Sequence, residues 1–255
     1  MDPMELLNFN ELTLTDDQKI SAAAVFSAII LAIGLFARFN FAHDVKKMSW
    51  ILSLVNSFVL TVSGATYVLV KTSTMEENFF ALGANGKKTF HSIDNVSFLI
   101  CLWFALMNIF DLVLGMLFYR KYLDPLTAWV HHSVYIWILL ASTDHGIFAT
   151  FEVFSSGLCF NLVEELPTFL LALGSVFPSM RTDVGFGTTF LGLRILYHAY
   201  LWYYSSTLGV NLVIPVLYTL TMTLHMFWFS TWVGKYGKKL MRGTSGKRQK
   251  SAKSD

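Results

Sequence analysis

Charge is what this chain has least of. Only 14% of its 255 residues are Asp, Glu, Lys or Arg, while 54% are apolar. An ordinary soluble domain carries about 25% charged residues, so this composition excludes a module with a water-covered surface. Cysteine is nearly absent too. Cys101 and Cys159 both lie in apolar runs and read as small buried hydrophobes. No Cys-Xaa-Xaa-Cys pair, Gly-Xaa-Ser-Xaa-Gly elbow or Walker loop occurs. The chain has 7 histidines with a single adjacent pair, too few for the spaced boxes of membrane di-iron hydroxylases and desaturases. No metal site, bound cofactor or nucleic-acid partner is expected.

What is present is apolar length. Runs of about 20 residues, enough to cross a bilayer, recur from end to end. The chain reads as all-α, one polytopic membrane protein with about seven transmembrane helices. The helical segments run near 20–37, 48–70, 97–118, 126–142, 147–177, 184–204 and 210–233. Residues 1–44 form an acidic leader (Asp2, Glu5, Glu11, Asp16, Asp17) and the first span. A cleaved signal peptide wants a basic leader, so this span is read as retained. Pro167 lies inside the fifth segment and predicts a kink or break there. The 71–96 connection, with Gly83, Gly86, Lys87 and Lys88, reads as an irregular loop, and the basic Gly/Ser-rich tail 236–255 reads as disordered.

Basic residues set the orientation. Arg38, Lys46, Lys47, Arg120, Lys121, Arg181 and the tail lie on one side; Lys19, Lys71, Lys87 and Lys88 lie on the other. The N-terminus is therefore expected outside or in the lumen and the C-terminus in the cytosol. A glycosylation sequon, Asn95-Val-Ser97, falls on the lumenal side against the third span.

His131 and His132 stand side by side in Trp129-Val-His-His-Ser-Val-Tyr. Ionisable groups at membrane depth mark functional sites by default, and an imidazole can take a proton or an acyl group near neutral pH. At about 1.5 Å of rise per residue, the pair lies roughly 8 Å in from the cytosolic side. Asp111 and His225 lie at comparable depth on the third and seventh spans; Glu164, Glu165 and Arg194 lie nearer the middle. Five segments thus bring polar groups to one level, and a shared interior cavity lets them satisfy one another. Bland alternatives stand beside this reading. Asp111 and Asn108 share a helix face and suit a hydrogen-bonding patch. Arg194, four residues before His198, suits neutralisation of Glu164 or Glu165. His225, among Met222, Met226 and Trp228, suits simple packing. Adjacent helical residues point about 100° apart, so one histidine of the pair should face the substrate and the other a neighbouring helix. The aromatic clusters 197–204 and 227–229 read as interface anchors.

Several pieces, in order, resemble the TLC-domain family, which includes ceramide synthases and smaller TLC-domain proteins. Trp50-Ile-Leu-Ser-Leu-Val-Asn-Ser is similar to the family's aromatic and small-residue opening helix. Asp111 in Asn108-Ile-Phe-Asp-Leu looks like its acidic residue before the His pair. Val130-His-His-Ser looks like the His-His motif, and Glu164-Glu-Leu-Pro-Thr-Phe looks like its glutamate signature. The resemblance covers about residues 45–235. It implies a six-helix TLC-type barrel around a lipid-sized tunnel, preceded by one extra span. It also implies His131 or His132 as base or acyl-carrying nucleophile, Asp111 as the group that orients an imidazole, and Glu164, Glu165, Arg194, His198 and His225 as substrate-binding. Two departures separate the chain from ceramide synthases. The first acid after the His pair is Asp144, and Pro167 directly follows Leu166; the smaller branch fits better.

Two functions follow as expectations. One is acyl-CoA-dependent acyl transfer to a sphingoid or lysolipid acceptor, with acyl-CoA as co-substrate. The other is non-enzymatic lipid binding, sensing or trafficking that controls membrane lipid composition. A transporter ranks third. Membrane lipids and acyl-CoA are the expected partners, a homodimer remains open, and the resemblance implies the endoplasmic reticulum or another endomembrane.

Overall fold

The computed structural model describes residues 7–9, 11–74, 92–141, 155–207 and 213–251, and among these every regular element is helical. Helix α1 spans Asp16–Asn40, α2 Val45–Thr74 and α3 Asn95–Phe118. A π-helical turn, Pro125–Val130, runs into α4, His131–Ala141. Helix α5, Ser155–Asn161, passes through a 3₁₀ turn, Leu162–Glu165, into α6, Leu166–Val176. Helix α7, Asp183–Thr189, continues through a π segment, Phe190–Tyr197, into α8, His198–Thr207, and α9 spans Val213–Ser251. Among the described residues, four stretches are long and apolar enough to cross a membrane: Asp16–Asn40, Val45–Ser73, Asn95–Phe118 and Ser155–Val176.

Local chemistry explains the helix ends. Thr15 caps α1: its hydroxyl accepts from the Gln18 amide while the Gln18 side chain accepts from the Thr15 amide. Asp94 and Ser97 make the same reciprocal box at the start of α3. Each box satisfies two donors that a helix start otherwise leaves open. Asp16 and Asp17 in the first turn of α1 and Arg38 in its last match the helix dipole.

Helix α2 is central. It packs on α6 and on the 3₁₀ turn, while α3 packs on α1 and α4, and α8 on α9. Gly64 permits a close approach to neighbouring backbone: an added Cβ would stand 2.7 Å from Leu162 Cβ and 3.2 Å from the Leu162 and Val163 backbone. The core joins Ile30, Leu60, Tyr67, Leu139, Phe160 and Leu201, all fully buried. Outward faces stay apolar: on α1, Ile20, Val25, Phe36 and Phe39 are exposed. A face of that kind suits a hydrocarbon solvent.

The break at Pro167 is present as the 3₁₀ turn just before α6, with proline in the first turn of that helix, where its missing N–H costs nothing. The basic tail differs from the disordered segment expected from composition. Helix α9 carries on through Ser251, although Gly237, Gly243 and Gly246 in this stretch are poor helix formers. The sequon asparagine, Asn95, is buried, and its side chain bonds Thr13 and Leu14. The aromatic clusters divide between two roles: Trp202 and Tyr203 are exposed, while Tyr204 is buried and Tyr197 donates to the Phe160 carbonyl. The irregular 71–96 loop falls largely, and Asp144 wholly, outside the described residues.

Candidate functional site

Two cavities meet around His131. The first, about 380 Å³, is walled by Phe104, Val134, Ile138, Leu158 and Leu217, with Glu164, His198 and His225 at a polar patch. The second, about 560 Å³, is walled by Lys46, Ser53, Asp111, Tyr119, His132 and Trp228. His131, Glu165 and Arg194 belong to both walls. One chamber is mostly apolar and the other richer in polar groups, and ionisable side chains form their shared boundary.

The His pair is divided as adjacent helical positions must be. His132 turns to α3, where its Nδ1 stands 3.5 Å from Asp111 Oδ2. That is an ion-pair distance, longer than a formed hydrogen bond. Asp111 is held by Tyr119, whose hydroxyl donates to Asp111 Oδ1 at 2.5 Å. Burial, and then the Asp111 charge, push the Tyr119 phenol well up, so it remains a donor. His131 turns instead to the boundary of the chambers. Its ring packs on Tyr135 (centroids 4.7 Å apart) and Trp228 (6.0 Å).

The two glutamates are divided likewise. Both oxygens of Glu164 lie 3.0 Å from His198 Nδ1. Glu165 Oε1 accepts from Arg194 Nη2 at 3.0 Å. Arg194 also donates to Thr168 Oγ1 at 2.6 Å and, through Nε, to the Glu164 carbonyl at 2.9 Å. Arg194 sits in the π segment Phe190–Tyr197, the helical irregularity that recurs at functional sites. His225 Nδ1 donates to the Arg194 carbonyl at 2.9 Å, and His198 Nε2 to the Tyr218 carbonyl at 3.0 Å.

All eight residues singled out from the sequence therefore line one or both chambers, although no more than two of them share any one element. Asn108 does not join them: its side chain donates to the Phe104 carbonyl of its own helix at 2.7 Å. Sequence reasoning missed Tyr119, Thr168, Tyr218 and Trp228. Tyr119 ends α3 eight residues after Asp111, and nothing but that position marks it. Trp228, which the sequence groups with interface anchors, walls the second cavity. Cys101 and Cys159 are buried, as free thiols. His43 is exposed, whereas His91 and His145 lie outside the described residues.

No protein-family model, curated protein or solved structure matches this chain.

Proposed function

We propose that the chain is an intramembrane acyltransferase moving an acyl group from acyl-CoA to a lysolipid or lipid amine. The observation that carries this reading is the shared boundary of the two chambers at His131, Glu165 and Arg194. An acyl chain suits the apolar chamber; a thioester and its polar leaving group suit the other. His131 is the nucleophile in this reading. A ring nitrogen attacks the thioester carbonyl, the carbon–sulfur bond breaks, and CoA leaves as a thiol with a proton from the site. The acceptor amine or hydroxyl then attacks the acyl-imidazole, loses its proton and returns neutral His131. His132, beside Asp111, orients the pair, and Arg194 balances negative charge at the boundary.

The finer architecture belongs to the same proposal. Residues 125–141, 183–207 and 213–233 are continuous helix beside the four spans already named, which supports seven spans with six of them in a TLC-type barrel. The bias of basic residues supports a lumenal N-terminus and cytosolic C-terminus, and the resemblance to the TLC-domain family is what suggests the endoplasmic reticulum or another endomembrane.

The test is intact mass spectrometry of the detergent-purified protein after incubation with mixed acyl-CoA, wild type against His131→Ala/His132→Ala. An acyl-sized adduct on wild type alone, removed by hydroxylamine, is the expected result. Neither adduct nor released CoA would overturn the reading. A second reading, non-enzymatic lipid binding or sensing, draws on the cross-bonded polar wall of Arg194, Glu165 and Thr168, which suits a fixed headgroup cradle.

A further inference from the structure

We propose that Glu164, His198 and His225 bind one divalent cation of the zinc class at the wall of the apolar chamber. One donor atom from each residue lies within 4.8 Å of the other two, and all three residues are buried. They come from three elements: the 3₁₀ turn, α8 and α9.

Hydrogen bonding decides which nitrogens remain to coordinate. A carbonyl oxygen can only accept. His198 Nε2 faces the Tyr218 carbonyl at 3.0 Å, so the proton of a neutral His198 resides on Nε2. His225 Nδ1 faces the Arg194 carbonyl at 2.9 Å, so the proton of a neutral His225 resides on Nδ1. The lone pairs left over are His198 Nδ1 and His225 Nε2. Metal-bound histidines show this pattern: the ring N–H away from the ion is anchored on a carbonyl or carboxylate, which fixes tautomer and orientation. His198 Nδ1 moreover points at both Glu164 oxygens, 3.0 Å from each. Two sets of lone pairs facing each other in a buried place need either a proton or a metal cation between them.

Arg194 does not supply that charge. Its Nη2 donates to Glu165 and Thr168, and its Nε reaches the backbone carbonyl of Glu164 rather than the carboxylate. Two imidazoles and one carboxylate suit zinc, with a fourth position left for a water or a substrate oxygen. The shortage of histidines that sets aside a di-iron centre does not weigh against one ion with three ligands. The proposal stands independently of acyl transfer.

The test uses the full-length protein, purified in detergent with a tag free of histidine, stripped with chelator, loaded with zinc sulfate and desalted. Elemental mass spectrometry is expected to find about one zinc per chain. His225→Ala and Glu164→Gln should each bind at least roughly tenfold more weakly, while His131→Ala/His132→Ala keeps its zinc. Cobalt in place of zinc should give a visible absorption band in wild type and not in the two ligand variants. Size-exclusion chromatography and circular dichroism check folding; if His225→Ala is not folded, the isosteric Glu164→Gln carries the comparison. Wild-type protein that holds neither zinc nor cobalt overturns the proposal in favour of a doubly protonated His198 paired with Glu164. Equal zinc in wild type and Glu164→Gln overturns it as well.

Discussion

Glu164 and Glu165 are consecutive in the chain and serve opposite partners, Glu164 meeting His198 Nδ1 at 3.0 Å and Glu165 meeting Arg194 Nη2 at 3.0 Å. The 3₁₀ turn that carries them makes this division natural. At three residues per turn, neighbouring side chains diverge by about 120°, so one carboxylate is aimed at α8 while the other meets the π segment. Pro167, by withholding an amide, helps keep that turn from merging with α6.

Removing the guanidinium should destabilise the fold. Arg194→Met strips the donors from Glu165, Thr168 and the Glu164 carbonyl and leaves a largely buried carboxylate without its cation. The cost should be about 3 kcal/mol. Thermal unfolding in detergent, followed by circular dichroism, reads it directly. Adding Glu165→Gln to the same chain should restore part of the loss, because the stranded charge is gone. An Arg194→Met protein melting with wild type would refute the pairing.

Tyr119 should act through Asp111. Its hydroxyl bonds the carboxylate at 2.5 Å, and burial keeps the phenol protonated. If the chain transfers acyl groups, Tyr119→Phe should lower kcat about tenfold, equivalent to about 1.4 kcal/mol of lost positioning. KM should hardly move, since the residue orients the carboxylate beside His132. Steady-state kinetics separate the two constants, and an unchanged kcat would count against this role.

Gly64 should tolerate no side chain. In Gly64→Ala the new Cβ meets Leu162 Cβ at 2.7 Å and backbone at 3.2 Å, and backbone cannot turn aside as a side-chain tip can. Forcing α2 from the turn that bears both glutamates should cost about 1–3 kcal/mol. Gly192→Ala is the control. Nothing lies within 4 Å of its Cβ, so it should be neutral or stabilise by about 0.5 kcal/mol. Equal melting of the two variants would contradict the close approach.

Asp94 should anchor the far end of the bundle. It is fully buried, accepts from the Tyr67 hydroxyl at 2.6 Å and from Ser156 Oγ at 3.2 Å, and pairs with Lys71 Nζ at 3.0 Å. Asp94→Asn removes the charge opposite a buried lysine at nearly constant volume, with an expected loss of about 3 kcal/mol. The chambers around His131 lie elsewhere, so zinc retention by folded protein should be unaffected. A melting temperature equal to wild type would overturn the anchoring role.

Much of this was readable from residue order. Apolar length against so few charges decides that the chain is helical and suited to a bilayer, because backbone polar groups in hydrocarbon must be satisfied within each helix. The rarity of ionisable groups in those runs singles out His131, His132, Asp111, Glu164, Glu165, Arg194, His198 and His225, since each would be costly in lipid alone. What residue order does not carry is the pairing. Whether Arg194 meets Glu164 or Glu165, which histidine turns to Asp111, and that Glu164, His198 and His225 converge, depend on helix rotation and on the 3₁₀ and π turns. Those are set by close packing between distant segments, such as Gly64 against Leu162 and Gly187 against Trp232. Contacts so far apart in sequence leave no periodic signal. Only the tertiary arrangement decides them.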